Sequence, residues 1–446
     1  MIIDINNYLS WGEFRKQPHV ANLPIKEQMQ HYSLYSQQYN MMRMQWLAEN
    51  VRLMGSNTTT TSAAAAAGGG GHGTNPTPPP PPPTINSSFV AFGSYVNNTT
   101  PVGGYADRTS PGLNTWFTAS YLVTNPFNKD TAKFVTGSGV VSGYDTFVVV
   151  GTGFDAGLQG RSIFWSADGK DWNPVDASGI SGSYYNRSVA YGYSDNTLAD
   201  TSFVVAGSGS ISTIPAVTVQ GGIWTYYTST NYNGLRTVYN GKDGGNNNLW
   251  LALGDTIGAT QFGYQSSDTT NWTVANSNIA NTDVDSIYSL AYAEDIGMWL
   301  AGVKPKGGTG RFIYTSTDGA TWTAGDNSTA DIFTTACYAV AYIGNGTWLL
   351  GGDKRSGDGC IFTYDSQMNA AAPLNIGLLD ECYSIAYDGS WAVAVGRVAT
   401  PGSNTIIIYS GNPTNGGSWV QSTTTASMWA DGYAVASQNR QYMYPQ

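Results

Sequence analysis

A short apolar run ending near glycine recurs seven times in this chain, and it limits the fold more than any other feature. The copies are FVAFG (89–93), FVVVG (147–151), FVVAG (203–207), WLALG (250–254), WLAGV (299–303), WLLGG (348–352) and WAVAVG (391–396), starting 43 to 58 residues apart. Most are preceded, across a short hairpin, by another strand-like run: SVAY (188–191), TVY (237–239), SLAY (289–292), AVAY (339–342) and SIAY (384–387), with GVVSG (139–143) in the same slot earlier. A third run follows each glycine, as in SIFWS, GIWTYY, FGYQS, FIYTS, IFTYD and IIIYS, often with a turn leading to Trp.

Strand units repeating about every 40–50 residues are the sequence signature of propeller blades. The reading is mainly β: a seven-bladed β-propeller of four-stranded antiparallel blades over residues 89–446. The first unit lacks an inner strand, and YAVAS (433–437) is an inner strand with no unit after it. Pairing the two closes the ring and removes open sheet edges. QYMYP (441–445) is available for one strand more.

The turns between third and fourth strands are also repeated: SADGKDW (166–172), SSDTTNW (266–272) and STDGATW (316–322). Ser and Asp side chains bond back to local N–H groups in such turns, glycine permits a positive φ, and Trp buries a large apolar area. These residues resemble the Asp-box of sialidase-type and sortilin-like propellers, S-x-D-x-G-x-x-W, here one residue shorter between Asp and Trp. The match is carried by Ser166, Asp168, Gly169 and Trp172, by Ser316, Asp318, Gly319 and Trp322, and, without the glycine, by Ser266, Asp268 and Trp272. YSGNPTNGGSW (409–419) is a degenerate copy. The resemblance implies a fold, with boxes that are structural and peripheral; it implies no activity.

Residues 1–55 read differently. From Pro24 to Gly55 the sequence favours a helix, and Tyr32, Tyr35, Tyr39, Met42, Trp46 and Leu53 recur at steps of three and four. That seam suits a coiled coil or docking in a groove; the plainer alternative is a helix folded back on its own domain. Residues 56–88 are low-complexity, with Gly68–Gly71 as a flexible joint and Pro78–Pro83 as a stiff spacer. A sticky helix on such an arm is expected to be an anchor, docking on another protein or forming a homo-oligomer.

Charge narrows the partners. A net charge of −10 without a Lys/Arg cluster argues against nucleic acid. The N-terminus lacks the apolar core of a signal peptide, and no run approaches the ~18 apolar residues of a membrane span. Three cysteines, Cys337, Cys360 and Cys382, have no metal spacing and read as small buried hydrophobes, and with three His no metal or other cofactor is expected. Sialidase-type chemistry needs an arginine trio, a Tyr–Glu pair and an acid Asp. The chain has eleven arginines and no Arg-Ile-Pro motif, no nucleophile elbow and no phosphate loop. No catalytic residues are assigned and a non-enzymatic role is expected, although two loop carboxylates could still serve glycoside hydrolysis.

Propellers bind partners through loops entering inner strands and loops joining second to third strands. Those loops carry Tyr184, Tyr185, Asn186, Arg187, Arg236, Asp285, Glu381 and Trp429 in the first set, and Arg355 and Arg397 in the second. Aromatics beside Asn, Asp and Arg supply a stacking face and directional hydrogen bonds for sugar. The layout of anchor (1–55), linker (56–88) and presented acidic propeller (89–446) resembles a bacteriophage tail-fibre, spike or capsid-fibre protein. It implies a virion appendage that docks on other virion proteins and meets a host-surface glycan or protein. The alternatives are a sialidase-like hydrolase or depolymerase on the virion, and a purely structural decoration.

Overall fold

The computed structural model describes residues 87–93, 103–107, 113–118, 120–121, 134–143, 146–153, 163–175, 186–197, 200–207, 210–216, 219, 224–228, 234–256, 261–308, 310–325, 332–355, 359–367, 370–398, 407–423 and 431–438. The chain divides into two units, Met1–Thr84 and Ile85–Gln446, and every described residue lies in the second. The helix expected in residues 1–55 with its Tyr32–Leu53 seam, linker residues 56–86 and the expected QYMYP strand fall outside the described residues, whereas Ser87 and Ser88, expected in the linker, belong to the first described strand.

What is described is a propeller of four-stranded antiparallel blades. One blade runs, from its inner strand outwards, Gly432–Ser437, Ser87–Gly93, Gly103–Asp107 and Phe117–Thr118. The next runs Phe134–Gly143, Thr146–Gly153, Ile163–Ser166 and Asp171–Pro174, with Ser120–Tyr121 added in parallel to its outer strand. Asn186–Tyr193, Thr201–Gly207, Ser210–Pro215 and Thr225–Thr228 form a third. A fourth comprises Leu235–Lys242, Asn248–Gly254, Gln261–Ser266 and Thr273–Asn276; a fifth comprises Val284–Ala293, Met298–Pro305, Ile313–Ser316 and Trp322–Ala324. No α-helix occurs among the described residues.

Seven separate sheets were expected, and the structure separates five. The strands from Cys337 to Gln421 form one eight-stranded sheet instead. Its halves, Cys337–Gly344 to Ala370–Pro373 and Glu381–Tyr387 to Val420–Gln421, are joined by the single pair Asp353↔Glu381. The physical reason is length: Thr347–Arg355 runs past its glycines and reaches the start of the next inner strand. Closure occurs as the sequence implied, with Phe89↔Ser437 through Phe92↔Ala434 paired in antiparallel register.

The apolar runs are continuous because each second strand is buried on both faces. In the first blade, Phe89 and Ala91 pack with Val393 and Val395, while Val90 and Phe92 pack with Phe147 and Val149. The pattern continues around the body: Val148 and Val150 meet Phe203 and Val205, and Leu249 and Leu251 meet Trp299 and Ala301. Successive inner strands also contact one another, and the series Gly432–Ser437, Phe134–Gly143, Asn186–Tyr193, Leu235–Lys242, Val284–Ala293, Cys337–Gly344, Glu381–Tyr387 returns to its start. Serine hydroxyls stitch three of those junctions, Ser188, Ser289 and Ser384 accepting from the N–H of Val238, Val340 and Val435 at 3.2, 3.0 and 3.2 Å. The three cysteines are buried and free, and burial raises their thiols, Cys360 to about 12. They fill tight inter-blade contacts: a Cβ on Gly351 would lie 2.7 Å from the Cys382 sulfur.

Register explains why these runs end in glycine. Every inner strand carries a bulge near its start, where one residue has no partner on the second strand. The residue just before the bulge pairs with Gly93, Gly151, Gly207, Gly254, Gly352 or Gly396, and with Val303 in the remaining case. A bulge brings an inner-strand carbonyl against the facing residue. A Cβ on Gly396 would collide with the Glu381 carbonyl oxygen, and one on Gly254 with that of Gly234.

The repeated turns share one hydrogen-bond pattern. In the 316–322 turn, Ser316 Oγ accepts from Gly319 N–H at 2.9 Å, and Asp318 Oδ1 accepts from Ala320 and Thr321 N–H at 2.8 and 2.6 Å. Trp322 Nε1 donates to Gly319 O at 3.1 Å. The 166–172 turn repeats this: Ser166 Oγ accepts from Gly169 N–H and Asp168 Oδ1 from Lys170 N–H, both at 2.8 Å, and Trp172 Nε1 donates to Gly169 O at 3.0 Å. Where glycine is missing, Thr269 takes the left-handed conformation (φ 61) and Trp272 still donates to its carbonyl at 3.0 Å. In the degenerate copy, Trp419 stays buried and donates to Pro413 O at 3.1 Å across a longer turn.

Burial would raise the Asp318 and Asp268 carboxyls, but the N–H groups bonded to them outweigh it and hold both below the ordinary 3.8. A depressed folded-state value means the unfolded chain takes up protons first. The stability these groups contribute is thus complete above 3.8 and is lost as pH falls below it through their folded values. Asp318→Asn combined with Asp268→Asn is expected to flatten the fall in melting temperature between about pH 4 and pH 2. Gly396→Ala is expected to cost about 2–4 kcal/mol in urea unfolding. Gly377→Ala, with open space where its Cβ would go, should stay within about 0.5 kcal/mol of the parent.

Candidate functional site

The bulges aim side chains. The unpaired residues are Arg187, Arg236, Tyr288, Tyr338, Tyr383 and Tyr433, with Ser138 at the seventh inner strand. Bulges commonly redirect a side chain beside a functional site, and here Arg187, Arg236, Tyr288, Tyr338, Tyr383 and Tyr433 are all half-buried. The Arg236 guanidinium lies over the Tyr288 ring at 4.4 Å. Ring contacts then run on from Tyr288 to Tyr338 (5.3 Å), Tyr338 to Tyr383 (5.3 Å) and Tyr383 to Tyr433 (5.2 Å). Two arginines and four tyrosines thus form one continuous arc along the ring of inner strands.

Each end of the arc has its own ion network. At the arginine end, Asp255 accepts from Arg236 Nε at 2.6 Å and Nη2 at 3.4 Å and from Ser286 Oγ at 2.6 Å, with Arg187 Nη1 4.0 Å away. Burial first, and then repulsion from Arg236, lower the Arg187 guanidinium from its ordinary value. At the tyrosine end, the Tyr383 hydroxyl donates to Glu381 and that of Tyr433 to Asp431 at 3.2 Å. Arg397 lies between the carboxylates, 4.0 Å from Glu381 and 3.8 Å from Asp431, and its guanidinium is raised by Glu381, Tyr383 and Asp431. Burial and the Glu381 bond push the Tyr383 phenol well above its ordinary range, and burial with Asp353 and Glu381 does the same for Tyr338. These phenols remain protonated hydrogen-bond donors at neutral pH.

The loop residues chosen from sequence fare unevenly. Arg187, Arg236, Glu381 and Arg397 belong to the arc or its networks. Asp285 instead pairs with Lys304 at 3.5 Å, and Asn186 is enclosed at 2 % exposure. Tyr184, Tyr185 and Trp429 lie outside the described residues, as does the Arg355 side chain, whose backbone pairs with Gly359. Sequence reasoning overlooked the four tyrosines and Asp431. A signal for the tyrosines existed: IYSLAY, CYAVAY, CYSIAY and GYAVAS place Tyr identically. Nearby, buried Asp353 accepts from Thr335 and Ala336 N–H at 2.8 and 3.0 Å and so shapes the loop entering its inner strand. Among the described residues, no three His, Cys, Asp or Glu side chains are grouped to hold a metal ion.

Fold and arc together define a β-propeller with a side-chain arc at one end of its inner strands. No protein-family model and no curated protein matches the chain. Solved structures do show likeness. A Lactobacillus plantarum protein aligns with TM-score 0.49 and 12% identity over 78% of this chain and 98% of its own. The Neurospora crassa Pan2 WD40 domain aligns with TM-score 0.40 and 11% identity over 68% of this chain and 80% of its own. A chain of the mitotic checkpoint complex aligns with TM-score 0.43 and 9% identity over 67% and 82%. Nothing about this chain's ligand follows from likeness that distant; the propeller is read from its own strand order.

Proposed function

We propose that this chain is a non-enzymatic recognition protein, an appendage of a virion whose propeller binds a host-surface glycan or protein. The observation that carries the reading is the arc from Arg187 to Tyr433, which combines aromatic faces, phenol donors and guanidinium groups. Such a set suits hydroxylated rings, which stack and hydrogen-bond at once. We count seven blades, taking the eight-stranded sheet as two that share the Asp353↔Glu381 bridge; the inner-strand series supports that count. The resemblance of the 166–172 and 316–322 turns to the Asp-box, and of the layout to phage fibre proteins, belongs to the same proposal. So do docking by residues 1–55 on other virion proteins and assembly as a homo-oligomer, which would let weak contacts sum to useful avidity.

A second reading, a sialidase-like hydrolase, has one observation in its favour: the Tyr383–Glu381 hydrogen bond. Against it stand the raised Tyr383 phenol and arginines already paired with carboxylates, Arg187 and Arg236 with Asp255 and Arg397 with Glu381 and Asp431. A glycan array run beside a reducing-end assay on the whole protein separates the two. Binding without sugar release is the expected outcome; release that disappears in Tyr383→Phe would establish the hydrolase. A chain lacking residues 1–55 is expected to fold with an unchanged β-sheet circular dichroism spectrum yet be absent from purified particles. Its normal incorporation would overturn the anchor.

A further inference from the structure

We infer that the tyrosine part of the arc, from Tyr288 to Tyr433, is a subsite for an uncharged glycan, a hexose polymer held through its hydroxyl groups and ring faces rather than through a charge. The inference rests on the glycan reading above and names the class of glycan that fits.

Three observations carry it. First, the charges at this end of the inner strands cancel locally. Arg187 and Arg236 lie 4.0 and 2.6 Å from Asp255, and Arg397 lies 4.0 Å from Glu381 and 3.8 Å from Asp431. Lys304 and Lys354 are paired in the same way, with Asp285 at 3.5 Å and Asp380 at 3.6 Å. A charged ligand would have to break one of these pairs or bring a charge that has no partner, and both oppose binding. An uncharged one leaves every pair intact.

Second, the middle of the arc presents open hydroxyls. Among the described residues, neither the Tyr288 nor the Tyr338 hydroxyl has a hydrogen-bond partner, and neither is sealed from solvent. A phenol both donates and accepts, as a sugar hydroxyl does. Third, the polar groups beside them are acceptors. Tyr383 donates to Glu381 and Tyr433 to Asp431, and those carboxylate side chains remain 29% and 25% exposed. Acceptors of this kind suit a partner rich in O–H donors and repel an anion.

The rings supply the remaining fit. One face of Tyr288 is covered by the Arg236 guanidinium. Tyr338 is held between Tyr288 and Tyr383, with ring centroids 5.3 Å away on each side. Phenols fixed in this way before a ligand arrives lower the ordering cost of binding. A hexose offers C–H surface and hydroxyls on one ring, matching side chains that are apolar in the body and polar at the tip. At longer range, the net charge of −10 opposes the approach of a polyanion and leaves an uncharged polymer unaffected.

The test is equilibrium binding of the full chain to dextran, laminarin, mannan and galactan, each beside its carboxymethylated form. At least one uncharged polymer is expected to bind, and its carboxymethylated form to bind about tenfold more weakly or worse. Affinity for the uncharged polymer should stay within about twofold between about 0.05 and 0.5 M salt. Tyr338→Phe and Tyr288→Phe, which keep the ring and remove the hydroxyl, should each weaken binding about three- to tenfold. If either variant loses its native melt, the carboxymethyl comparison and the salt series on the parent protein still decide. Equal or tighter binding of the carboxymethylated form, or a steep loss of affinity with salt, would overturn the uncharged ligand and leave the glycan reading standing. Unchanged affinity in both natively melting variants would overturn the placement at the centre of the arc. Binding to none of the four polymers would overturn this inference, and silence across a broad glycan array would overturn the glycan reading itself.

Discussion

The bulge near the start of each inner strand, which faces a glycine on the second strand in every blade but the one with Val303, governs the rest of this propeller. It leaves one residue per inner strand unpaired, and that residue turns out of the ladder. At Gly254, Gly352 and Gly396 a Cβ would collide with a carbonyl oxygen at the start of the inner strand, whereas Val303 occupies the same place in the fifth blade. The same bulge therefore closes each blade near the axis and displays a side chain. Structure and candidate function share one backbone irregularity, repeated around the ring.

Packing between blades sets the second constraint. Each second strand must present apolar side chains to both neighbours, so alternation is lost and runs such as FVVV become fully buried. Where backbones crowd, the chain uses small residues: Gly302 beside Cys337 and Gly351 beside Cys382. Large residues go where sheets splay apart, as with Trp172, Trp250, Trp299 and Trp348, all at most 1 % exposed. The Ser–Asp turns hold the outer hairpins that carry Trp172 and Trp322. Their carboxylates are satisfied by backbone N–H groups rather than by cations, which lets a chain with few basic residues carry so many acids at one end.

Electrostatically the two ends of the body do different things. Hairpins opposite the arc hold aspartates with few counter-charges, whereas the arc end interleaves Arg187, Arg236, Lys304, Lys354 and Arg397 with carboxylates.

Blade repeat, strand order and ring closure were legible in the sequence, because burial on both faces writes itself as an uninterrupted apolar run and a tight turn as Ser-x-Asp. Arg187, Arg236, Glu381 and Arg397 were also legible, as polar residues at predictable loop positions. The arc was not. Tyr288, Tyr338, Tyr383 and Tyr433 read as ordinary strand residues, since a one-residue register shift leaves no mark in hydrophobic periodicity. Likewise, Asp285, which pairs with Lys304, and Asn186, which is enclosed, looked equivalent to their neighbours in the sequence. Merging of two sheets through Asp353 and Glu381 depended on how far one strand extends before it meets the next. Sequence determined what each blade is made of; only the packed ring decided which side chains its bulges bring together, because that contact lies between residues about fifty positions apart.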